Sequence, residues 1–210
     1  MSVILRNGTF GEYYGNDFNS SNPLILEQMK VNALYIYSYL TSKNWSINAI
    51  AGLLGNMQVE SSINPGRWQS DRVLGDSEGH GYGLVQWTPY TKYTEWVESD
   101  PSTMDNNLSR IIYEIENNIQ WIPRLSFSSM TFKDFSTSNL SPSLLARAFM
   151  LCYERPLDQS EEAQVTRGAI GDFWYTYLTG IAPSPPSVLN NKKKKFKFIL
   201  FKRRSLYGKR

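Results

Sequence analysis

The segment that most constrains the fold is SINAIAGLLGNMQVESSINPG, residues 46–66. Within it Ile47, Ile50, Ala51, Leu54 and Met57 recur at intervals of three and four, which places them on one face of an α-helix. Ser46 is a good N-cap for that helix, and Asn64-Pro65-Gly66 reads as its stop. A helix this apolar has to be covered by others, and signals for them are present. Asn22-Pro23, Thr88-Pro89 and Ser141-Pro142 each set a capping side chain before a proline suited to the first helical position, which predicts three helix starts. The spacing of Leu108, Ile111, Ile112, Ile115, Ile119 and Ile122 predicts a helix over 106–122, and a further one is read over 160–178. Residues 65–87, rich in Gly, Ser and Asp with short alternating pieces, predict a long loop or small β-hairpin between helices. The expected fold class is therefore mainly α, and no internal repeat interrupts it.

With 210 residues and 41% hydrophobic content, the chain can bury one good-sized core. The charge is unevenly spread. Residues 191–210 hold ten of the 22 Lys and Arg and no acid, which leaves 12 basic against 19 acidic side chains before them. Between body and tail, IAPSPPSVLN reads as a Pro-rich linker. The expected organisation is an N-terminal arm (1–23), a main domain (24–180), a linker (181–190) and a basic tail (191–210). The tail reads as a solvated or partner-binding arm, or as cations that adhere to an anionic surface. Cys152 stands alone, so no internal disulfide is expected, and with only His80 beside it no metal site and no cofactor are expected. The chain lacks a run of 18 apolar residues, and its first 23 residues lack a signal-peptide pattern.

Glu60 is the one carboxylate in the terminal turn of the 46–62 helix. It follows Leu53 by seven residues, about two turns, and so lies beside Met57 on the flank of the apolar stripe. Partial burial and the negative end of the helix dipole both disfavour its ionised form, which is what a general acid needs. The plainer reading is an exposed glutamate at a helix end. Local sequence does not choose between them.

A second stretch, GYGLVQW over 81–87, adds weight to the first reading. A Glu-Ser pair at a helix end, an Asn-Pro stop and then Gly83-Leu84-x-Gln86 together resemble goose-type lysozymes and lytic transglycosylases. The closer resemblance is to the phage tail lysozymes. It rests on MKVNALYIYSYL, GNMQVESSINPGRWQ, GYGLVQWTP, RIIYEIENN and YERP, in that order, and covers roughly 24–178. The resemblance implies a lysozyme-like α+β fold with the 65–87 region flanking the cleft. It also implies that Glu60 is the catalytic acid and that Gly83, Leu84 and Gln86 form a wall of the groove. The implied substrate is bacterial peptidoglycan, cut at the β-1,4 bond between N-acetylmuramic acid and N-acetylglucosamine. The implied setting is a virion tail tip among other phage tail proteins, with no nucleic acid substrate.

Glycoside cleavage needs a proton for the leaving oxygen and something to meet positive charge at the anomeric carbon. Glu60 would supply the proton. For the second role Asp71, Asp76 and Glu78 are candidates, as is no partner acid at all. Gln86 offers an amide to a sugar acetamido group or a water, or else stabilises its own hairpin. Trp68, Tyr82, Trp87 and Tyr153 are candidate sugar-stacking faces, each equally readable as core. Hydrolysis is the favoured outcome because the loop acids could hold a water. A lytic transglycosylase, an endolysin and a non-catalytic glycan-binding tail component remain as alternatives.

Overall fold

A computed structural model describes residues 3–69 and 79–180. The chain opens with an antiparallel hairpin, β1 (Ile4–Gly8) and β2 (Gly11–Gly15), in which Ile4 pairs with Gly15 and Gly8 with Gly11. Helices α1 (Leu26–Ser42) and α2 (Ile47–Ser61) follow, then the region that carries GYGLVQW, and a single turn α3 (Thr91–Thr94). Helices α4 (Met104–Glu116), α5 (Phe132–Thr137), α6 (Pro142–Phe149) and α7 (Glu161–Leu178) complete the order. The fold is mainly α with one small antiparallel sheet.

Helix α2 is the centre of the molecule, and its enclosure is wider than its apolar stripe suggested. Every residue from Ala49 to Met57 is buried, Asn56 included. A helix apolar nearly all round is one that neighbours cover on all sides. Ile50, Leu53, Leu54 and Met57 expose no surface and contribute roughly 1.5–3 kcal/mol each. Two glycines let the neighbouring backbones come close. A Cβ on Gly52 would lie 2.8 Å from the Leu145 Cβ and 2.9 Å from the Ala146 nitrogen of α6, and one on Gly55 would lie 2.7 Å from the Arg167 carbonyl oxygen of α7. Polar groups seal the same crossings. The Asn56 amide donates to the Gly52 and Ala146 carbonyls, and the Trp174 indole donates to Gln58 at 2.9 Å.

Two caps stand where the sequence put them: Ser46 accepts from Ala49 and Ser141 from Leu144, with Pro142 as the first residue of α6; the helix read over 160–178 is also capped, by Ser160 accepting from Ala163. The other two proline signals do not open helices. The Asn22 carbonyl is taken by the Asn16 and Asn64 amides, and α1 starts only at Leu26, where Gln28 accepts the Ile25 N–H. Thr88 donates its hydroxyl to the Gln86 carbonyl, and α3 begins only at Thr91. Helix α4 starts at Met104 under a Thr103 cap and stops at Glu116, well short of residue 122, because Asn118 and Gln120 adopt positive φ.

The two-stranded sheet lies at the N-terminus. The 65–87 region, expected as a long loop or small hairpin, is a loop in its described residues, with the isolated antiparallel bridges Trp68–Tyr82 and Tyr82–Trp87. The N-terminal segment expected as an arm is packed into the body. Buried Asn32 of α1 accepts from the Tyr14 N–H and donates to the Tyr14 and Ile63 carbonyls, each at 2.7 Å, and Tyr13 joins the core. The linker 181–190 and tail 191–210 lie outside the described residues. No described helix is long and apolar enough to cross a membrane.

Gly52→Ala is expected to destabilise the fold by about 1–3 kcal/mol through overpacking against the α6 backbone. Urea unfolding followed by circular dichroism measures it.

Candidate active site

The end of α2 explains the residues that follow Glu60. Ser61 is buried, and its hydroxyl lies 2.8 Å from the Leu84 carbonyl oxygen and 3.0 Å from that of Met57, which fastens the helix end to the GLVQ loop. Ser62 and Ile63 take left-handed conformations, φ 56° and 53°, and their N–H groups return to the Gln58 and Met57 carbonyls, closing the helix. Asn64 accepts from the Gly66 N–H at 3.0 Å and donates to Asn22. Gly66 is required because a Cβ there would lie 2.2 Å from the Asn16 oxygen. The Asn-Pro-Gly stop is thus a docking point for the N-terminal segment.

The GLVQ loop is a tight connection. Tyr82 and Trp87 exchange backbone hydrogen bonds of 3.2 and 3.0 Å across it, and the Leu84 N–H donates to Asn107 Oδ1 at 2.9 Å. Gly83 has φ 84°, and a Cβ on it would come within 2.6 Å of that same Asn107 oxygen. Gln86, at φ 51°, donates its amide to the Arg67 and Gly83 carbonyls. Its amide nitrogen therefore stabilises the loop, and the half-buried side chain also lines a cavity.

Glu60 is held by a residue that the sequence did not point to. Arg167 of α7 donates from one guanidinium nitrogen to Glu60 Oε1 at 2.6 Å and from the other to Asn56 Oδ1 at 2.8 Å. The Glu60 side chain is 19% exposed and that of Arg167 7%. Among the described residues, Glu60 Oε2 has no hydrogen-bond partner. The expectation for Glu60 weighed burial and the helix dipole and no cation; Arg167 is the partner it lacked. A sequence signal existed, since Arg167 precedes Gly171 and Trp174 by four and seven residues and so shares their buried face.

A cavity of about 210 Å³ opens between two of the motifs, with residues 85–88 on one side, residues 153–155 on the other, and Lys92 and Gln120 completing the lining. Trp87 and Tyr153 contribute to its wall but do not offer ring faces: Trp87 stacks on Tyr93 at 4.5 Å and Tyr153 on Phe149 at 4.4 Å. Both are anchored on Glu114, which is 1% exposed and accepts from the Trp87 indole at 2.9 Å, from Arg110 Nε at 2.9 Å and from the Tyr153 hydroxyl. Burial pushes the Glu114 carboxyl up against these donors, which act the other way. Glu114 lies three residues beyond Ile111 on the buried face of α4, an ionisable group on an apolar face that could have marked it.

Trp68 and Tyr82 are corrected outright. Neither exposes any surface: Trp68 packs on Tyr82, Phe18 and Tyr90 and donates to the Phe18 carbonyl, so both are core rather than groove wall. Arg155 closes its helix by donating to the Gln120 and Cys152 carbonyls. Asp71, Asp76 and Glu78 lie outside the described residues. The carboxyl the structure does bring to the site is Glu154. Burial pushes it well above the usual carboxylate range, and the neighbouring charges of Glu60 and Glu114 push the same way against Arg167 and Arg155.

A mainly α body with a small sheet, carrying a glutamate at the end of its central helix beside a tight cleft loop, has a lysozyme-like α+β architecture. The chain belongs to the phage tail lysozyme family, which matches residues 31–178. It is also similar to morphogenesis protein 1 of Bacillus phage B103, 42% identical over 184 residues that take in 82% of this chain and 48% of that protein. The chain thus spans about half the length of the curated relative it matches.

Two outcomes follow from the buried charges. Arg167→Met is expected to cost about 1.5–3 kcal/mol, the loss of hydrogen bonds to a charged group, measured by urea unfolding. The folded-state affinity of Glu154 for a proton exceeds that of the unfolded chain, whose reference value is 4.5. The folded state therefore binds the extra proton above that pH, and stability falls as pH rises from about 4.5 toward the folded midpoint. Glu154→Gln should flatten this slope in thermal melts run across pH while leaving stability at pH 4 unchanged.

Proposed function

We propose that the chain is a peptidoglycan-cleaving glycosidase that acts on the β-1,4 bond between N-acetylmuramic acid and N-acetylglucosamine, with Glu60 as the general acid. The single observation that carries this is the setting of Glu60: a half-enclosed carboxyl at the end of the central helix, held at one oxygen by Arg167 and fastened through Ser61 to the cleft loop. The unheld oxygen, Oε2, carries the proton to the leaving glycosidic oxygen. Once the proton has left, Arg167 faces the carboxylate that remains, so the product state of the acid meets a fixed cation without reorganisation. Membership of the phage tail lysozyme family supports the same substrate class.

Water is the acceptor in this reading, which makes the protein a lysozyme rather than a lytic transglycosylase. A transglycosylase closes an anhydro ring on the muramic acid, and its products are lighter by the mass of one water. Likeness to a phage morphogenesis protein supports placement in a virion, and we assign the protein to the tail, opening the wall during entry. Other tail proteins are its expected neighbours. The basic run 191–210 would adhere to anionic wall or membrane surface through screened attraction.

Glu60→Gln should keep the fold and lower turbidity clearance of peptidoglycan by about 10²-fold or more, because the amide has no proton to give the leaving oxygen. Retention of more than a tenth of the wild-type rate would remove Glu60 from this role. Mass spectrometry of the muropeptides decides the acceptor: hydrated reducing ends support hydrolysis, and predominantly anhydro ends would convert the assignment to a transglycosylase. A wild-type protein that binds the glycan and releases no product would instead be a structural tail component.

A further inference from the structure

Glu154 is a half-buried ionisable group beside the cleft that neither the acid nor its supports employ. It arrives there by unusual backbone. Helix α6 widens after Phe149 into a π-helical turn over Met150–Glu154, closed by the Arg155 N–H on the Met150 carbonyl at 2.8 Å. Arg155 ends the turn in the left-handed region at φ 48°, a conformation that costs a non-glycine residue about 1–3 kcal/mol. Single π turns recur where a helix must present a functional side chain. Here the wide turn delivers residues 153–155 to the cavity wall.

Two of those three side chains are already engaged. The Tyr153 hydroxyl is held by Glu114, and the Arg155 guanidinium by two carbonyls. Glu154 is the one left with capacity: its enclosed Oε1 has no hydrogen-bond partner among the described residues, and the residue is half-buried on the cavity lining, so a contact from the cavity falls to its other oxygen. An ionised carboxylate with an enclosed, unsatisfied oxygen is costly, whereas the neutral carboxyl carries no such charge and has a hydrogen to give.

We propose that Glu154 is a second glycan-contacting carboxyl group of this cleft, serving as a hydrogen-bond donor to a sugar hydroxyl or acetamido oxygen seated in the cavity. The substrate class rests on the glycosidase reading above. The cavity, about 210 Å³, equals the share of about seven waters, enough for an acetamido substituent with part of its ring. The charged groups around Glu154 are Glu60 from α2, Glu114 from α4 and Arg167 from α7, with Arg155 beside it and Lys92 on the cavity lining. Burial and the two carboxylates favour the neutral form, and the two arginines oppose them. A donor of this kind differs from a nucleophile or a general base, both of which act ionised.

The full chain is assayed on soluble peptidoglycan glycan fragments, with Glu154→Ala, Glu154→Gln and Glu60→Gln compared to wild type and each variant's fold checked by thermal melting. Glu154→Ala should raise KM by about tenfold, the loss of one hydrogen bond that leaves its partner unpaired. Glu154→Gln, whose amide still donates, should restore most of that affinity and should not share the rise in KM expected of wild type as pH passes the Glu154 midpoint. Carboxyl ¹³C NMR of glutamate-labelled protein supplies a readout besides activity. The Glu154 resonance, assigned by its absence in Glu154→Gln, should titrate with a midpoint well above that of an ordinary glutamate. A Glu154 midpoint at or below that of an ordinary glutamate, or a Glu154→Gln variant that loses as much kcat as Glu60→Gln, overturns the donor role. A folded Glu154→Ala with wild-type KM overturns the contact itself; if that variant does not fold, the Gln variant and the NMR titration decide. Activity retained by Glu60→Gln overturns the acid assignment instead, so the two failures are separable.

Discussion

The structure depends on the enclosure of α2. Its two glycines remove the side chains that would hold α6 and α7 away, so the three helices meet backbone to backbone. Close approach at Gly55 brings the Arg167 backbone against α2, and the Arg167 side chain then runs along that helix to Asn56 and Glu60. The contact that packs the core is therefore also the contact that positions the cation of the site. Packing and chemistry share one helix crossing.

Polar groups inside such a core are costly unless matched, and those around the site are matched in chains rather than in isolated pairs, with the Glu154 Oε1 as an exception. Asn56, Arg167 and Glu60 form one chain; Arg110, Glu114, Trp87 and Tyr153 form another. Partly satisfied networks are expensive in a low-dielectric interior, and fully satisfied ones specify a unique arrangement. Both chains end at the cleft, one at the carboxyl of Glu60 and the other at the wall of the cavity. Asn107 does similar work beneath the loop, accepting from Leu84 and donating to carbonyls of Pro101 and Thr103. The rigidity of the cleft wall comes from these buried amides and carboxylates.

What the sequence revealed follows from the range of each interaction. Ser46 and Ser141 act on amides three residues away, and their caps were legible for that reason. The place of Glu60 at a helix end followed from periodicity alone. Asn22-Pro23 and Thr88-Pro89 misled because their polar groups serve distant or looped partners, which a local pattern does not contain. Arg167 escaped notice because its partners lie 107 and 111 residues upstream. Trp68 and Tyr82 have the composition of a sugar platform and the burial of a core, and only packing tells these apart. The hairpin at 4–15 carries Asn7-Gly8 and Gly11 between short apolar pieces, a signal present in the sequence and outweighed by the helical pattern around it.

The long span of the Glu60–Arg167 pair also bears on timing. Glu60 is made early in synthesis, yet its cation belongs to the last helix of the described body, 107 residues later. Contacts of such separation close late, after the loop entropy between them has been overcome. A chain cut or paused before α7 can fold α1 and α2 locally and still lack the guanidinium that holds the carboxyl in place. The cleft is therefore finished only when the body is finished, so a growing chain carries the glutamate through 107 further residues before the arrangement that gives it direction can form.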